Sequence, residues 1–148
     1  MGLCLGEKGI AKTICGFDSF EGIDAASFAA DLPLGAAQNE DRHRHGIRAA
    51  QFALVASKVR RFFLTSPRFV PGYFKVSFPG FDTAVRVCFA HPDVNLYEPF
   101  RDSLNFRCPA GAGGIIMLDE HKAPPGAGCN RPVDEFLADK PGGLEMER

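Results

Sequence analysis

Two short apolar runs in this chain each lead directly into acidic residues. Val85–Ala90 is followed closely by Asp93, and Ile115–Leu118 runs directly into Asp119 and Glu120. In an open α/β sheet, ligands bind beyond the carboxyl ends of the strands, so these carboxylates are expected to gather at one sheet edge. Carboxylate oxygens are hard ligands that suit Mg²⁺ or a similar cation. The pattern therefore predicts an α/β fold with a metal site built from these three acids.

The rest of the chain predicts strands that alternate with helices. Short apolar or β-branched runs bounded by turn residues are typical of strands, and apolar residues three and four positions apart are typical of amphipathic helices. The predicted elements are a strand at Thr13–Phe17 ending on Asp18, a loop at Gly22–Asp41, a helix from about Gly46 to Arg61, a strand closing at Arg68–Pro71, buried strands at Val85–Ala90 and Ile115–Leu118, and helices at Tyr97–Phe106 and Asn130–Ala138. This alternation favours parallel pairing, so we expect a three-layer α/β sandwich with a mostly parallel sheet, formed as one domain over residues 1–148.

The charge and hydropathy of the chain exclude several classes of partner. The formal net charge is −1, which gives no overall field that would attract nucleic acid or an anionic membrane. No apolar run approaches the roughly 20 residues that a membrane helix needs. The first residues, MGLCLGEKG, lack the charged and apolar regions of a signal peptide. We therefore expect a cytoplasmic protein that binds neither nucleic acid nor membrane.

The cysteine and phenylalanine content describes the expected core. The five cysteines form no C-x-x-C pair, and Cys15 and Cys88 fall inside predicted strands, which favours buried thiols over a disulfide framework. The 14 Phe residues, with 2 Tyr and no Trp, indicate a dry aromatic core. An exposed sheet edge in such a fold would favour a homo-oligomer.

Six sequence blocks, in this order, resemble a known enzyme family. The blocks are GFDSFEG (Gly16–Gly22), VPGYFK (Val70–Lys75), FPGFDT (Phe78–Thr83), HPDVNLYEPFRDSL (His91–Leu104), GGIIMLDEH (Gly113–His121) and VDEFLADKP (Val133–Pro141). Together they resemble the macrocin O-methyltransferase family, whose members depend on S-adenosylmethionine and have the Rossmann-like class I methyltransferase fold. The resemblance spans about Thr13 to Pro141, which is most of the chain.

The resemblance implies a role for each of the acidic residues. Asp18, with the adjacent Ser19, is implied to bind S-adenosylmethionine, the carboxylate accepting hydrogen bonds from the ribose hydroxyls. Asp93 is implied to be the general base and a Mg²⁺ ligand, with Asp119 and Glu120 completing the metal site. The implied reaction is methylation of a sugar or polyol hydroxyl on a natural product. From the residues alone, Asp18 could instead cap the turn that follows it, and the other acids could be solvated loop residues.

The chain departs from the family pattern in two respects. Asn95 stands where the pattern has a second Asp, which removes one charge from the predicted metal site, and Pro92 replaces Ile. Only Met1–Lys12 precedes the first predicted strand, so we expect the family's first strand and glycine-rich turn to be missing, and the chain to be truncated at both ends. A partial domain of this kind would bind S-adenosylmethionine weakly or not at all. The second interpretation is therefore a non-catalytic methyltransferase-like fragment, either an interaction module or a degenerate remnant.

Overall fold

A computed structural model of the chain describes residues 8–9, 12–34, 52–61, 67–82, 84–106, 114–118 and 127–140. These ranges contain four strands and five α-helices. In chain order the elements are β1 (Cys15–Asp18), α1 (Ala25–Asp31) followed by a 3₁₀ turn at Leu32–Leu34, α2 (Phe52–Arg61), β2 (Arg68–Pro71), α3 (Phe74–Ser77), β3 (Phe89–Ala90), α4 (Tyr97–Asn105), β4 (Ile115–Ile116) and α5 (Ala127–Leu137). Within these ranges no helix is both long and apolar enough to cross a membrane.

The chain divides into two compact units, and the first consists of residues 1–23 and 45–81. In this unit β1 and β2 form a parallel pair, with Gly16 beside Phe69 and Asp18 beside Pro71. Gly16 lets the Phe69 ring pack close to β1, because a Cβ at this position would lie 3.0 Å from that ring and the ring would have to shift. The pairing extends beyond the strands, since the Gly72 amide donates to the Asp18 carbonyl at 2.9 Å. The predicted parallel pairing is therefore confirmed for these two strands.

Aromatic side chains pack on both faces of the β1–β2 pair. On one face, the Phe17 ring meets the rings of Phe78 and Phe81 edge to face, at 5.2 and 5.0 Å between centroids. On the other face, the ring of Phe69 packs perpendicular to the ring of Phe52, which belongs to α2, with 6.1 Å between the ring centroids. Edge-to-face pairs add to the stabilisation from buried area, by about 0.5–1.5 kcal/mol each. Aromatic rings therefore pack together in the first unit, but the predicted dry core is present only in part, since Phe81 is 5% exposed and Phe52 is 43% exposed.

The second unit consists of residues 24–44 and 82–148, and its sheet is the parallel pair β3–β4. Phe89 is paired with Ile115 and Ala90 with Ile116. Helices α4 and α5 supply a core of three buried residues, Phe100, Leu104 and Val133, against which Val94, Ile116, Leu118, Phe136 and Leu137 pack. Ile116 and Leu118 therefore face this core, whereas Ile115 and Met117 of the same segment are 62% and 45% exposed.

The structure corrects the prediction of a loop at Gly22–Asp41. Ala25–Asp31 is a helix, which begins after Asp24. The Asp24 carboxylate accepts a hydrogen bond from the Ser27 amide at 3.4 Å, as an N-cap does. Alanine has the highest helix propensity, and four of the seven residues in α1 are alanine. Ala- and Asp-rich composition therefore indicated a capped helix here, and residues 35–41 lie outside the described part.

The two strands predicted to be buried are shorter and more exposed than expected. Val85–Ala90 forms a strand only at Phe89–Ala90. Its first residue belongs to a turn made by Asp82, whose side chain accepts from the Ala84 amide and whose carbonyl accepts from the Val85 amide. Cys88, expected to be a buried thiol, is exposed, whereas Cys15 is half-buried. The segment Ile115–Leu118 has one exposed face, so the expectation of burial on both faces was wrong.

Three predicted helices are present with adjusted ends. Helix α4 ends at Asn105, one residue before the predicted end, and α2 is described from Phe52 to the predicted end at Arg61. Helix α5 begins at Ala127, three residues earlier than predicted, so that Pro132 lies inside it. The four-residue helix α3 was not predicted, and it follows Gly72, whose φ of +125° only glycine adopts readily.

Candidate functional site

In the first unit, Asp18 lies at the carboxyl end of β1, where the sequence predicted a cofactor carboxylate. Its Oδ1 accepts a hydrogen bond from the Phe20 amide at 2.6 Å, so the side chain does cap the following turn. The side chain is exposed, and no described residue donates to Oδ2. A carboxylate oxygen has two lone-pair directions, so Asp18 retains acceptor capacity for hydroxyl donors while it caps the turn.

Ser19 has a role within the same turn. Its hydroxyl donates to the Gly22 carbonyl at 2.8 Å and accepts from the Glu21 amide at 3.1 Å. The one hydroxyl proton of Ser19 is therefore engaged in the loop, which leaves acceptor capacity alone for a ligand. Phe20 completes the turn with a φ of +57°, an uncommon value for a residue other than glycine. The predicted cofactor residues Asp18 and Ser19 thus sit in one tightly hydrogen-bonded turn.

In the second unit, Asp93 lies in the segment His91–Leu96, which joins β3 to α4. The Asp93 side chain is exposed, while Pro92 beside it is buried and Leu96 is 4% exposed. Val94 packs against the core of Phe100, Leu104 and Val133. Buried residues therefore hold the segment, and the predicted base is presented at its surface.

The other two predicted metal ligands, Asp119 and Glu120, lie outside the described residues. Their chain neighbour Leu118 is described and packs against the same core as Val94. Among the residues that the structure describes, no cluster of three His, Cys, Asp or Glu side chains could hold a metal ion. The predicted site of Asp93, Asp119 and Glu120 therefore remains a prediction.

Asp31, at the end of α1, is a residue that the sequence did not single out. It is 1% exposed, and its Oδ2 accepts a hydrogen bond from the Tyr97 amide at 2.5 Å. Burial raises the pKa of the Asp31 carboxyl above its ordinary value, the hydrogen bond from Tyr97 lowers it, and the nearby negative charge of Glu98 raises it. A second contact links the same helices, since the Ser27 hydroxyl lies 3.3 Å from Glu98 Oε2.

Tyr97 also links α4 to α5 through its side chain. Its hydroxyl donates to Glu135 Oε2 at 2.5 Å, and Arg131 Nε donates to Glu135 Oε1 at 2.8 Å. The hydrogen bond with Glu135 raises the pKa of Tyr97, and the hydrogen bonds from Tyr97 and Arg131 lower the pKa of Glu135. The guanidinium of Arg131 lies 5.2 Å from the centre of the Tyr97 ring, within range of a cation–π contact. Tyr97 therefore contacts both of its neighbouring helices, through its amide and its hydroxyl.

Comparison with solved structures gives a related fold. The structure titled "Structure of the O-methyltransferase NovP" is similar to this chain with a TM-score of 0.67 and 24% sequence identity. The similarity covers 91% of this chain and 58% of that chain, so the present chain spans little more than half of NovP. None of the curated proteins matches this chain.

The family comparison covers nearly the whole chain. The sequence model of the family described as macrocin-O-methyltransferase (TylF) matches residues 1–143. This range includes all six sequence blocks and both strand pairs, and it confirms the resemblance predicted from them. The chain belongs to the macrocin-O-methyltransferase (TylF) family.

Proposed function

We propose that this chain carries out O-methylation with S-adenosylmethionine as the methyl donor, with Asp18 binding the cofactor and Asp93 serving the acceptor hydroxyl. The observation that carries the proposal is the family match over residues 1–143. Two features of the structure support it. Asp18 ends one parallel strand, and Asp93 follows the end of another. Ligands of α/β sheets bind beyond strand ends of this kind.

The Asp18 turn suits the ribose of the cofactor. A ribose presents two neutral hydroxyl donors, and an exposed carboxylate is an acceptor-only group that can take hydrogen bonds from both. Asp18 Oδ1 already accepts from the Phe20 amide, which fixes the carboxylate plane and reduces the side-chain freedom lost on binding. We assign ribose binding to Asp18 and, because its hydroxyl proton is engaged, a supporting role in the turn to Ser19.

The chemistry of the donor set supports a Mg²⁺ site on the second unit. Ala90 and Ile116 are partners in the β3–β4 register, and Asp93 and Asp119 each follow three residues later in the sequence. Paired strands lie about 4.8 Å apart, so the register suits ligands contributed by both chain segments. When bound by Asp93, Asp119 and Glu120, Mg²⁺ would lower the pKa of an acceptor hydroxyl. Asn95 would offer a neutral oxygen in the same segment.

The proposed reaction is a single displacement. The acceptor oxygen attacks the methyl carbon, the bond from that carbon to the sulfonium sulfur breaks, and the hydroxyl proton passes to the Asp93 carboxylate. The products are a methyl ether and S-adenosylhomocysteine. The proposed acceptor is a sugar or polyol hydroxyl, as the family resemblance implies. Such a hydroxyl ionises far above neutral pH in water, so transfer of its proton to Asp93 as the new bond forms would lower the barrier.

A titration of the full chain with S-adenosylmethionine, followed by amide NMR, tests the cofactor assignment. We expect saturable shifts at residues 18–22 and a loss of affinity of tenfold or more in Asp18→Asn. Asn retains an oxygen that caps the turn, so a loss in this variant reports the missing charge. Asp82→Asn is the matched control, because Asp82 Oδ1 accepts from the Ala84 amide in a similar exposed turn. It is expected to bind like the wild type.

The same titration also tests the sequence-based expectation of weak binding, which a micromolar Kd would contradict. Absence of any shift up to millimolar cofactor would overturn the proposed function and favour the non-catalytic fragment. In a methyl-transfer assay with Mg²⁺ and a panel of sugar acceptors, removal of the general base in Asp93→Asn is expected to lower turnover about 10²–10⁴-fold. Equal turnover in the variant and the wild type would remove Asp93 from the mechanism.

A further inference from the structure

We propose that Asp31 is a positioning residue for Asp93: from α1 it holds the first residue of α4 and thereby fixes the segment that presents Asp93. The importance of that segment for catalysis rests on the proposed function. The contact itself is defined by the structure, because Asp31 Oδ2 lies 2.5 Å from the Tyr97 amide nitrogen, which is 66 residues away in sequence.

The start of α4 needs an acceptor that its own sequence does not provide. The first amides of a helix have no partner within the helix, and a polar residue at the N-cap often accepts from one of them. The N-cap of α4 is Leu96, whose side chain has no acceptor atom. Asp31 instead accepts from the Tyr97 amide, so a residue of α1 meets a requirement of α4.

The location of Asp31 in its own helix is otherwise unfavourable. It is the last residue of α1, where the helix dipole disfavours a negative charge, and it is 1% exposed. Aspartate is almost never fully buried without a partner. Both costs are reduced at the start of α4, where the dipole favours an anion and an amide donates to it. The contact with Tyr97 therefore accounts for an otherwise unfavourable residue.

The segment His91–Leu96 is held at both of its ends. At the first end, the Ala90 carbonyl accepts from the Met117 amide at 2.9 Å, which joins β3 to β4. At the second end, Asp31 holds Tyr97. Between them, Leu96 is 4% exposed and Val94 packs on the core, while Asp93 is exposed. Without the hydrogen bond to Asp31, the start of α4 would no longer be fixed. Only the pairing at Ala90 and the packing of Val94 and Leu96 would then hold the segment that carries Asp93.

Two variants whose side chains branch at the same atom as aspartate separate positioning from packing. Asp31→Asn keeps an oxygen that can accept from the Tyr97 amide, and Asp31→Leu fills the same space without an acceptor. In the full chain we expect Asp31→Leu to raise hydrogen exchange at the Tyr97 amide about 5- to 30-fold, the range that loss of a helix cap gives, and to shift the backbone resonances of Asp93–Asn95. In Asp31→Asn, the exchange rate of the Tyr97 amide and the resonances of Asp93–Asn95 are both expected to stay at their wild-type values. Asp31→Ala provides a second variant without an acceptor if Asp31→Leu does not fold.

The methyl-transfer assay supplies a further readout. Asp31→Leu is expected to lower kcat tenfold or more while its affinity for S-adenosylmethionine stays at the wild-type value, because Asp18 belongs to the other unit. Ser103→Ala is the matched control, since Ser103 donates to the Phe100 carbonyl inside α4 at 2.7 Å and its loss leaves the helix start intact. If Asp31 only stabilised the fold, Asp31→Leu would reduce apparent kcat and cofactor binding together, in proportion to the folded fraction.

The outcomes distinguish the two proposals. The positioning role would be overturned if the resonances of Asp93–Asn95 were unchanged in Asp31→Leu. It would also be overturned if Asp31→Asn shifted these resonances as much as Asp31→Leu does. If the wild type shows no methyl transfer with any acceptor, the proposed function fails, and the exchange and resonance measurements still decide whether Asp31 fixes the segment.

Discussion

Removal of the Phe100 ring is the most direct test of how the second unit is held together. Phe100 is 0% exposed, and its buried neighbours Leu104 and Val133 are 2% and 1% exposed. These residues join α4 to α5 and support β4 through Ile116. Phe100→Ala therefore leaves a cavity among side chains that have little room to rearrange.

The expected cost follows from this burial. Phe→Ala substitutions at buried sites destabilise by about 3–5 kcal/mol, and the upper part of this range applies where the cavity cannot collapse. Since whole proteins have unfolding free energies of about 5–15 kcal/mol, the variant would lose a third or more of a typical value. For a chain of this size the loss corresponds to a fall in Tm of about 6–20 °C.

Urea unfolding followed by circular dichroism measures this change, with Val76→Ala as the control. Val76 is 69% exposed, so truncation of its side chain is expected to alter the unfolding free energy by less than about 0.5 kcal/mol. A loss below about 1 kcal/mol in Phe100→Ala would refute the conclusion that Phe100 is central to this core. Equal losses in the two variants would contradict the burial on which the magnitude depends.

Three further predictions concern single residues. Gly72→Ala is expected to lower the unfolding free energy by about 1–3 kcal/mol, because the φ of Gly72 is +125°. Gly80→Ala is the control, since a Cβ there meets open space, and it is expected to change the unfolding free energy by less than about 1 kcal/mol. Thermal unfolding compares the two variants, and equal effects would contradict the prediction. Ser77→Ala is expected to raise stability by up to about 1 kcal/mol in urea, since no described group pairs with its buried hydroxyl, and a loss would reveal a partner. Because the folded-state pKa of Asp31 is raised, its contribution to stability is complete below the unfolded pKa of about 3.9 and is lost as pH rises through the folded value. Unfolding free energies measured from pH 3 to 8 should therefore fall, relative to Asp31→Asn, above about pH 4, and parallel curves would contradict this.

The elements predicted correctly are those whose signals are local in sequence. The strand at Arg68–Pro71 ends at a Pro-Gly turn, and α4 has Pro99 in its first turn, where the missing amide costs little. Asp18 was predicted at the end of the first strand and is the last residue of β1. Turn chemistry and apolar spacing were sufficient in these cases because each depends on residues only a few positions apart.

The errors arose where a residue's partner is distant or where a competing turn interrupts a pattern. Val85–Ala90 has the composition of a buried strand, yet the Asp82 turn holds its first residue and Cys88 is exposed. Helix α1 was not predicted because Gly22 and Pro33, on either side of it, are typical of loops. The role of Asp31 could not be predicted, since nothing in a single sequence relates it to an amide 66 residues further along.

Two of the three predicted metal ligands, Asp93 and Asp119, stand beside apolar residues in the sequence. Asp93 precedes Val94, and Asp119 follows Leu118; both of these apolar neighbours pack against the core of Phe100, Leu104 and Val133. An acid next to a core residue in an extended segment tends to point away from that core, since successive side chains alternate. This alternation could predict from the sequence that the Asp93 side chain reaches the surface, where the structure places it. The hydrogen bond from the Tyr97 amide to Asp31 adds a support from α1 that no local pattern indicates. The proposed base Asp93 would depend on such distant contacts as well as on its own strand.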